Sequence, residues 1–265
     1  MTYKVLVSDL DSTLLTTQRV ITPRTVRAFE QAKEQGKYVT FATGRNYLSA
    51  LPTITTLEPN APLILYNGSR IEDPQTRNVL YAKNLKNAYA CKAFDLNRRF
   101  QIHVSVYCDD EIYIETLTPE AQEFMEKEHV TCHPVGDLTT FLAGRDPIKL
   151  LFIGDPEKLH RYAQEYRAID GNSELVGSEA TYLEILPEGV SKGVALRHLA
   201  EYLGVTLEEI IAVGDNPNDI DMVQEAGLGV AVANAHPDVK RVADLITESN
   251  DQDGVAKIIE EYLLC

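Results

Sequence analysis

Short apolar runs, each closed by acidic or turn residues, alternate with stretches of helical spacing along the first third of this chain. Val5-Leu6-Val7 is apolar and β-branched, which predicts a buried strand. Thr22-Pro23 has the form of an N-cap followed by proline at the first helical position. Val26, Phe29, Ala32 and Lys33 follow at helical spacing, and Gly36 ends that helix. Residues 38–42 read as a second strand, and a second helix runs from beyond Arg45 to about Leu57. Residues 62–66 (PLILY) read as a third buried strand, closed by Asn67-Gly68. Strand, helix, strand, helix, strand is the pattern of a parallel doubly wound sheet.

The texture changes near residue 81. A helix is predicted over 87–100. Ile102, Val104 and Val106, then Ile112 and Ile114, alternate with polar residues around Cys108-Asp109-Asp110-Glu111, which predicts a hairpin. Helices are expected over 119–128 and 156–169, and strands over 148–153 and around Leu183 and Ile185, before Pro187-Glu188-Gly189 breaks the pattern. Alternating strands imply an antiparallel sheet with one covered face. The doubly wound texture then returns. It brings a helix over 191–203, a strand over 210–213, a helix from Met222 to Ala226, a strand over 230–232 and an amphipathic last helix carrying Val255, Ile258, Ile259, Tyr262 and Leu263. The expected architecture is α/β: a doubly wound, Rossmann-like parallel-sheet core from 1–82 and 187–265, with an inserted α+β domain at 83–186.

Composition narrows the function. Twenty-five lysines and arginines against 40 aspartates and glutamates leave a formal charge of −15, which excludes a phosphate backbone as an expected partner. A small anionic substrate would then need local positive charge from a metal, lysine or arginine. No apolar run reaches the roughly 18 residues of a membrane span, and the N-terminus does not have the form of a signal peptide. Cys91, Cys108, Cys132 and Cys265 are scattered, which fits a reducing cytoplasmic setting. A monomer or small homo-oligomer is expected.

Candidate chemistry gathers where predicted strands end. Asp9 and Asp11 follow the first strand one residue apart, and in extended chain side chains i and i+2 point the same way. Both could therefore reach one pocket, although acidic and hydroxyl residues also simply close strands. Thr43 stands at the second strand's end and Gly214-Asp215-Asn216-Pro217-Asn218-Asp219 at a later one. In open α/β sheets ligands bind at that edge. A lone Lys192 at a helix start is ordinarily a solvated lysine, and Asp215 and Asp219 taken singly would be turn and cap residues.

Taken together, DLDST at 9–13, ATGR at 42–45, GVSKG at 189–193 and GDNPND at 214–219 resemble the haloacid dehalogenase superfamily, and the insert resembles that of its Cof-type phosphatases. The resemblance covers the whole chain. It implies a Mg²⁺-dependent phosphatase of small phosphorylated metabolites, sugar phosphates or phosphorylated cofactors, working through an aspartyl-phosphate. Asp9 would be the nucleophile and Asp11 the acid and base. Asp9, the Asp11 backbone carbonyl and Asp215 would hold Mg²⁺, with Asp219 directly or through water. Leu10, Thr43, Gly44, Arg45, Lys192 and Asn218 are the candidate phosphate or substrate contacts. Thr43 would offer its hydroxyl and backbone N–H, and Gly44 would let the backbone approach. Arg45 would either touch substrate or sit on the surface of the helix's first turn. Ser12 departs from the family's usual glycine, so a positive φ there would strain it.

Two other classes remain on the same residues: a phosphomutase or phosphotransferase, and a non-catalytic phosphometabolite-binding regulator. The intact set of Asp9, Asp11, Lys192 and Asp215 argues against the latter. His129, Cys132 and His133 lack a second ligand pair at zinc spacing and read as residues of the insert. Asp109-Asp110-Glu111 reads as a solvated turn. The insert is expected to close over the site and decide which leaving group is accepted.

Overall fold

The computed structural model describes residues 2–265. Strand β1 (Val5–Ser8) is buried along its whole length and leads through a wide turn at Leu10–Leu14 into helix α1 (Pro23–Glu34). Thr22 caps α1 by accepting from the Thr25 N–H at 3.2 Å. Strand β2 (Tyr38–Phe41), helix α2 (Tyr47–Leu57) and strands β3 (Leu63–Leu65), β4 (Arg70–Glu72) and β5 (Val79–Ala82) follow.

Next come α3 (Asn87–Phe100), β6 (His103–Cys108), β7 (Glu111–Ile114), α4 (Pro119–Glu128), β8 (Cys132–Pro134), α5 (Leu138–Phe141), β9 (Lys149–Ile153), α6 (Pro156–Ile169), β10 (Glu174–Glu179) and β11 (Tyr182–Leu186). The chain closes with α7 (Lys192–Leu203), β12 (Ile210–Gly214), α8 (Ile220–Glu225), β13 (Leu228–Ala231), α9 (Pro237–Val242), β14 (Leu245–Ile246) and α10 (Gly254–Ile258), which runs on into a wider helical turn at Ile259–Leu263. Among the described residues no helix is long and apolar enough to cross a membrane.

Two compact units result. The first holds the residues up to Asn46, Ala50–Ala82 and Ser191–Cys265. Its five-stranded sheet has the order β14-β13-β12-β1-β2 and is parallel throughout, with Val5 opposite both Ile210 and Tyr38. Every carboxyl end therefore lies on one edge. Val5, Val7, Ile210 and Ala212 pack against Ala195, Leu196 and Leu199 of α7.

Strand β3 departs from the expected parallel sheet. It joins the antiparallel order β3-β4-β5 and meets the larger sheet through one parallel bridge, Ala42 to Ile64. The cause is the turn at residues 66–68, which reverses the chain so that Leu65 pairs back onto Arg70.

The second unit holds Lys83–Val190 with Tyr47–Ser49. Residues 187–190 group with it rather than with the first unit, and the Gly189 N–H donates to Glu174 at 3.1 Å. Its six-stranded sheet has the order β10-β11-β9-β6-β7-β8 and is antiparallel except between β7 and β8. Val104, Val106, Leu150, Phe152, Leu183 and Ile185 face α3 and α6, where the Tyr162 hydroxyl donates to the Ala93 carbonyl at 2.8 Å. Asp109 and Asp110 both take positive φ, 51° and 65°, as a two-residue hairpin turn demands.

Candidate active site

Asp9 continues β1, its N–H bonded to the Val213 carbonyl at 2.9 Å, and its side chain is buried. The chain then turns at Leu10, so strand alternation does not relate Asp9 to Asp11. The two carboxylates meet separate cations. Asp9 Oδ1 accepts from Lys192 Nζ at 2.6 Å, and Asp11 accepts from Arg45 Nε at 2.8 Å and Nη2 at 2.6 Å. Leu10 is fully buried, and its carbonyl accepts the Leu15 N–H at 2.8 Å. Ser12 takes φ 58°, so the position does require the conformation that favours glycine. Asn234 Nδ2 holds the Ser12 carbonyl at 2.7 Å.

Lys192 opens α7 behind its N-cap Ser191 and is 1% exposed. Its ammonium lies between Asp9 Oδ1 and Asp219 Oδ1, the latter at 2.5 Å. Burial by itself would strip the proton, but the charges of Asp219 and Asp9 outweigh it and push the Lys192 pKa up. Asp219 is fully buried, and its Oδ2 accepts the backbone N–H groups of Asp215 and Asn216 at 2.9 and 3.0 Å. The end of β12 must be glycine for this: a Cβ on Gly214 would stand 2.5 Å from that of Asp219.

Asp215 Oδ1 accepts from the Thr13 hydroxyl at 2.8 Å. Burial, then the charge of Asp219, pushes its pKa up to about 6. Burial likewise raises Asp9, with Lys192 opposing. For Asp11 burial also pushes upward, but the hydrogen bond and charge of Arg45 prevail and hold the carboxyl below its usual range. Asp9, Asp215 and Asp219 each offer a carboxylate oxygen, all within 4.8 Å of one another, and they are the one such group among the described residues. An all-oxygen donor set in which burial raises the Asp9 and Asp215 carboxyls carries negative charge in excess of its cation, which fits a hard divalent ion.

The structure narrows how two of the candidate phosphate contacts could act. The Thr43 backbone N–H is taken by the Ile64 carbonyl at 2.9 Å, as the Ala42–Ile64 bridge requires, which leaves the hydroxyl as its donor. Arg45 is not the surface arginine of the second alternative: its side chain is 14% exposed and clamps Asp11. At Gly44 a Cβ would lie 3.0 Å from Asn67 Nδ2, so the glycine also makes room for that side chain. Asn218 Nδ2 donates to Asn67 Oδ1 at 2.9 Å. Asn67, Thr13, Asn234 and Asp221, which accepts the Gly193 N–H at 3.1 Å, escaped the sequence reading. The Asn67-Gly68 pair at the end of a buried strand was the signal for the first of them.

His129, Cys132 and His133 do not converge. His129 ends α4 with φ 54°, Cys132 is buried with its thiol pushed up to about 11, and His133 pairs with Glu111 at 3.0 Å.

Comparison with known proteins gives these residues a context. The family model for haloacid dehalogenase-like hydrolases matches residues 6–259. A 5-amino-6-(5-phospho-D-ribitylamino)uracil phosphatase of Bacillus subtilis is 30% identical over 98% of this chain and 96% of its own. A pyridoxal phosphate phosphatase of Escherichia coli is 28% identical over the full length of both chains. The crystal structure of a haloacid dehalogenase-like hydrolase from Bacteroides thetaiotaomicron superposes with a TM-score of 0.88 at 33% identity, covering 98% of this chain and 99% of the other.

Proposed function

Since the chain belongs to the haloacid dehalogenase-like hydrolase family and is a phosphatase of small phosphorylated metabolites, we propose that it passes the phosphoryl group to Asp9 and then to water, with Mg²⁺ as cofactor. The observation that carries this reading is the buried ammonium of Lys192 held between Asp9 and Asp219, beside Asp215.

Lys192 and Asp219 hold the Asp9 carboxylate in one orientation with Lys192 on Oδ1, and Oδ2 makes the new bond to phosphorus. The bond from phosphorus to the ester oxygen breaks, and Asp11 gives that oxygen its proton. Asp11 then takes a proton from water, whose oxygen displaces Asp9 and releases inorganic phosphate. Thr43 through its hydroxyl, Lys192 and Asn218 bind the phosphate oxygens. Asp9, Asp215 and Asp219, with the Asp11 carbonyl, would hold Mg²⁺, which when bound neutralises phosphate charge. Thr13 orients Asp215 for that task.

Both named relatives act on phosphate monoesters of small cyclic metabolites, so the panel that tests the reading includes pyridoxal 5′-phosphate, 5-amino-6-(5-phospho-D-ribitylamino)uracil and hexose phosphates. Phosphate release is expected with Mg²⁺ and not in excess chelator. Asp9→Asn is expected to fold, to release no phosphate and to trap no labelled phosphoenzyme. Labelling of that variant would overturn the role of Asp9, and conversion of substrate without phosphate release would make the enzyme a phosphotransferase.

A further inference from the structure

The turn at residues 66–68 is built against local preference. Tyr66, Asn67 and Gly68 all have positive φ (52°, 54° and 97°), and the first two are buried non-glycine residues. Such backbone persists only where its surroundings over-determine it. Here the Tyr66 N–H is bonded to the Arg45 carbonyl at 3.1 Å and the Asn67 N–H to the Thr43 carbonyl at 2.9 Å, which straps the turn to the 43–45 loop. On its other side a Cβ at Gly68 would lie 2.2 Å from the carbonyl oxygen of Ser191, the residue before Lys192. The turn thus wedges between two stations of the phosphate pocket, and the side chain it delivers there is the amide of Asn67.

That amide touches a third station. Its Oδ1 accepts from Asn218 Nδ2 at 2.9 Å, and its Nδ2 fills the space a Cβ on Gly44 would need. Asn218 has no second anchor of this kind, because its Oδ1 is buried with no hydrogen-bond partner among the described residues. The bond to Asn67 therefore decides which face of the Asn218 amide points where. Turning that amide over would set two carbonyl oxygens against each other. An amide nitrogen carries two hydrogens, so one bond to Asn67 leaves the other donor for a ligand.

We propose that Asn67 is a positioning residue of the phosphate pocket, whose side-chain carbonyl orients the Asn218 amide so that its second N–H meets a phosphate oxygen. This rests on Asn218 being a phosphate contact. Asparagine suits the place because it tolerates the left-handed conformation and carries an acceptor, whereas glycine would meet only the first need.

The test uses the full-length protein with Mg²⁺, inorganic phosphate as probe and a double-mutant cycle. Asn67→Gly keeps the backbone conformation and removes the amide. We expect it to weaken phosphate binding and raise KM by about tenfold, the scale of one hydrogen bond to a charged group, with kcat within about threefold and an unchanged thermal midpoint. Asn218→Ala should weaken phosphate binding at least as much. The double variant should bind no more weakly than Asn218→Ala alone, because Asn67 acts through Asn218. Additive losses, or wild-type phosphate binding by Asn67→Gly beside a weakened Asn218→Ala, would overturn the role of Asn67 and leave the proposed chemistry standing. Unchanged phosphate binding by Asn218→Ala would overturn both this inference and the reading of Asn218.

Discussion

Arg45 governs the protonation of Asp11, the proposed general acid. With Nε and Nη2 both on its carboxylate, Asp11 stays ionised until the clamp loosens, yet the leaving oxygen needs a protonated acid. Burial raises the Asp11 pKa and the hydrogen bond and charge of Arg45 are the largest effects that lower it, so removing Arg45 leaves burial opposed only by the weaker charges of Arg19 and Lys192. In Arg45→Ala the alkaline limb of kcat/KM, set by loss of that proton, should move to higher pH, while kcat falls through poorer placement of the acid. A pH profile checks this, and an unshifted limb would place the acid elsewhere. Next to Asp11, Ser12 holds φ 58° with an exposed side chain. A left-handed non-glycine residue costs about 1–2 kcal/mol, and glycine's looser unfolded chain returns about 0.5–1 kcal/mol of that. Ser12→Gly should therefore stabilise the protein by about 0.5–1 kcal/mol in a denaturant titration. A loss of stability would mean that the serine side chain itself is needed.

At the scale of elements, the end of β12 is shaped by what must lie against it. Gly214→Ala would push a methyl into Asp219 and pull that carboxylate off Lys192 and two backbone N–H groups. We expect a loss of about 1–3 kcal/mol in thermal unfolding, with phosphate release falling far more steeply than stability. Near-normal turnover would show that Asp219 can shift without harm. Elements with their own punctuation were legible in the sequence: α4 behind Thr118-Pro119, α6 behind Asp155-Pro156, and α3 over the span expected from its apolar spacing. The strands that were not legible, β4, β5, β8, β10 and β14, are short or largely exposed and lack a clear apolar alternation. Pairing with neighbours makes them strands. The same divide runs through the site. Asp9, Thr43, Lys192 and Asp215 stand at the ends of strongly apolar strands or behind a cap, so their places could be read. Which cation meets which carboxylate could not be read, because Lys192 and Asp9 are 183 residues apart and nothing local encodes their meeting.

Across the whole molecule, a chain of net charge −15 concentrates buried carboxylates at one sheet edge. Asp215, raised to about 6 from 3.8, favours folding while it is protonated. Its contribution is full below its unfolded value and is lost as pH rises through about 6, so without metal this group destabilises the fold at neutral pH. Mg²⁺ should reverse that. At a hundred times its dissociation constant a ligand stabilises by about 2.7 kcal/mol, a rise in thermal midpoint of about 5–10 °C at pH 7.5. The rise should shrink at pH 5 and vanish in Asp215→Asn. Calorimetry with and without Mg²⁺ checks this, and equal shifts at both pH values would contradict the assignment.

The order of the strands has a further consequence, which concerns synthesis. β1 is laid down first, but its partner β12 follows some 200 residues later, as the pairing of Val5 with Ile210 records. At ribosomal speeds of about 5–20 residues per second, β1 waits on the order of 10–40 s with one flank unpaired. The continuous segment Lys83–Val190 has no such delay and can close its own core in the interval. A nascent chain therefore shows an apolar strand edge to chaperones for most of its emergence. It also gains Lys192 before Asp215 and Asp219, so a translation product interrupted before residue 215 lacks two of the three carboxylates of the proposed metal site.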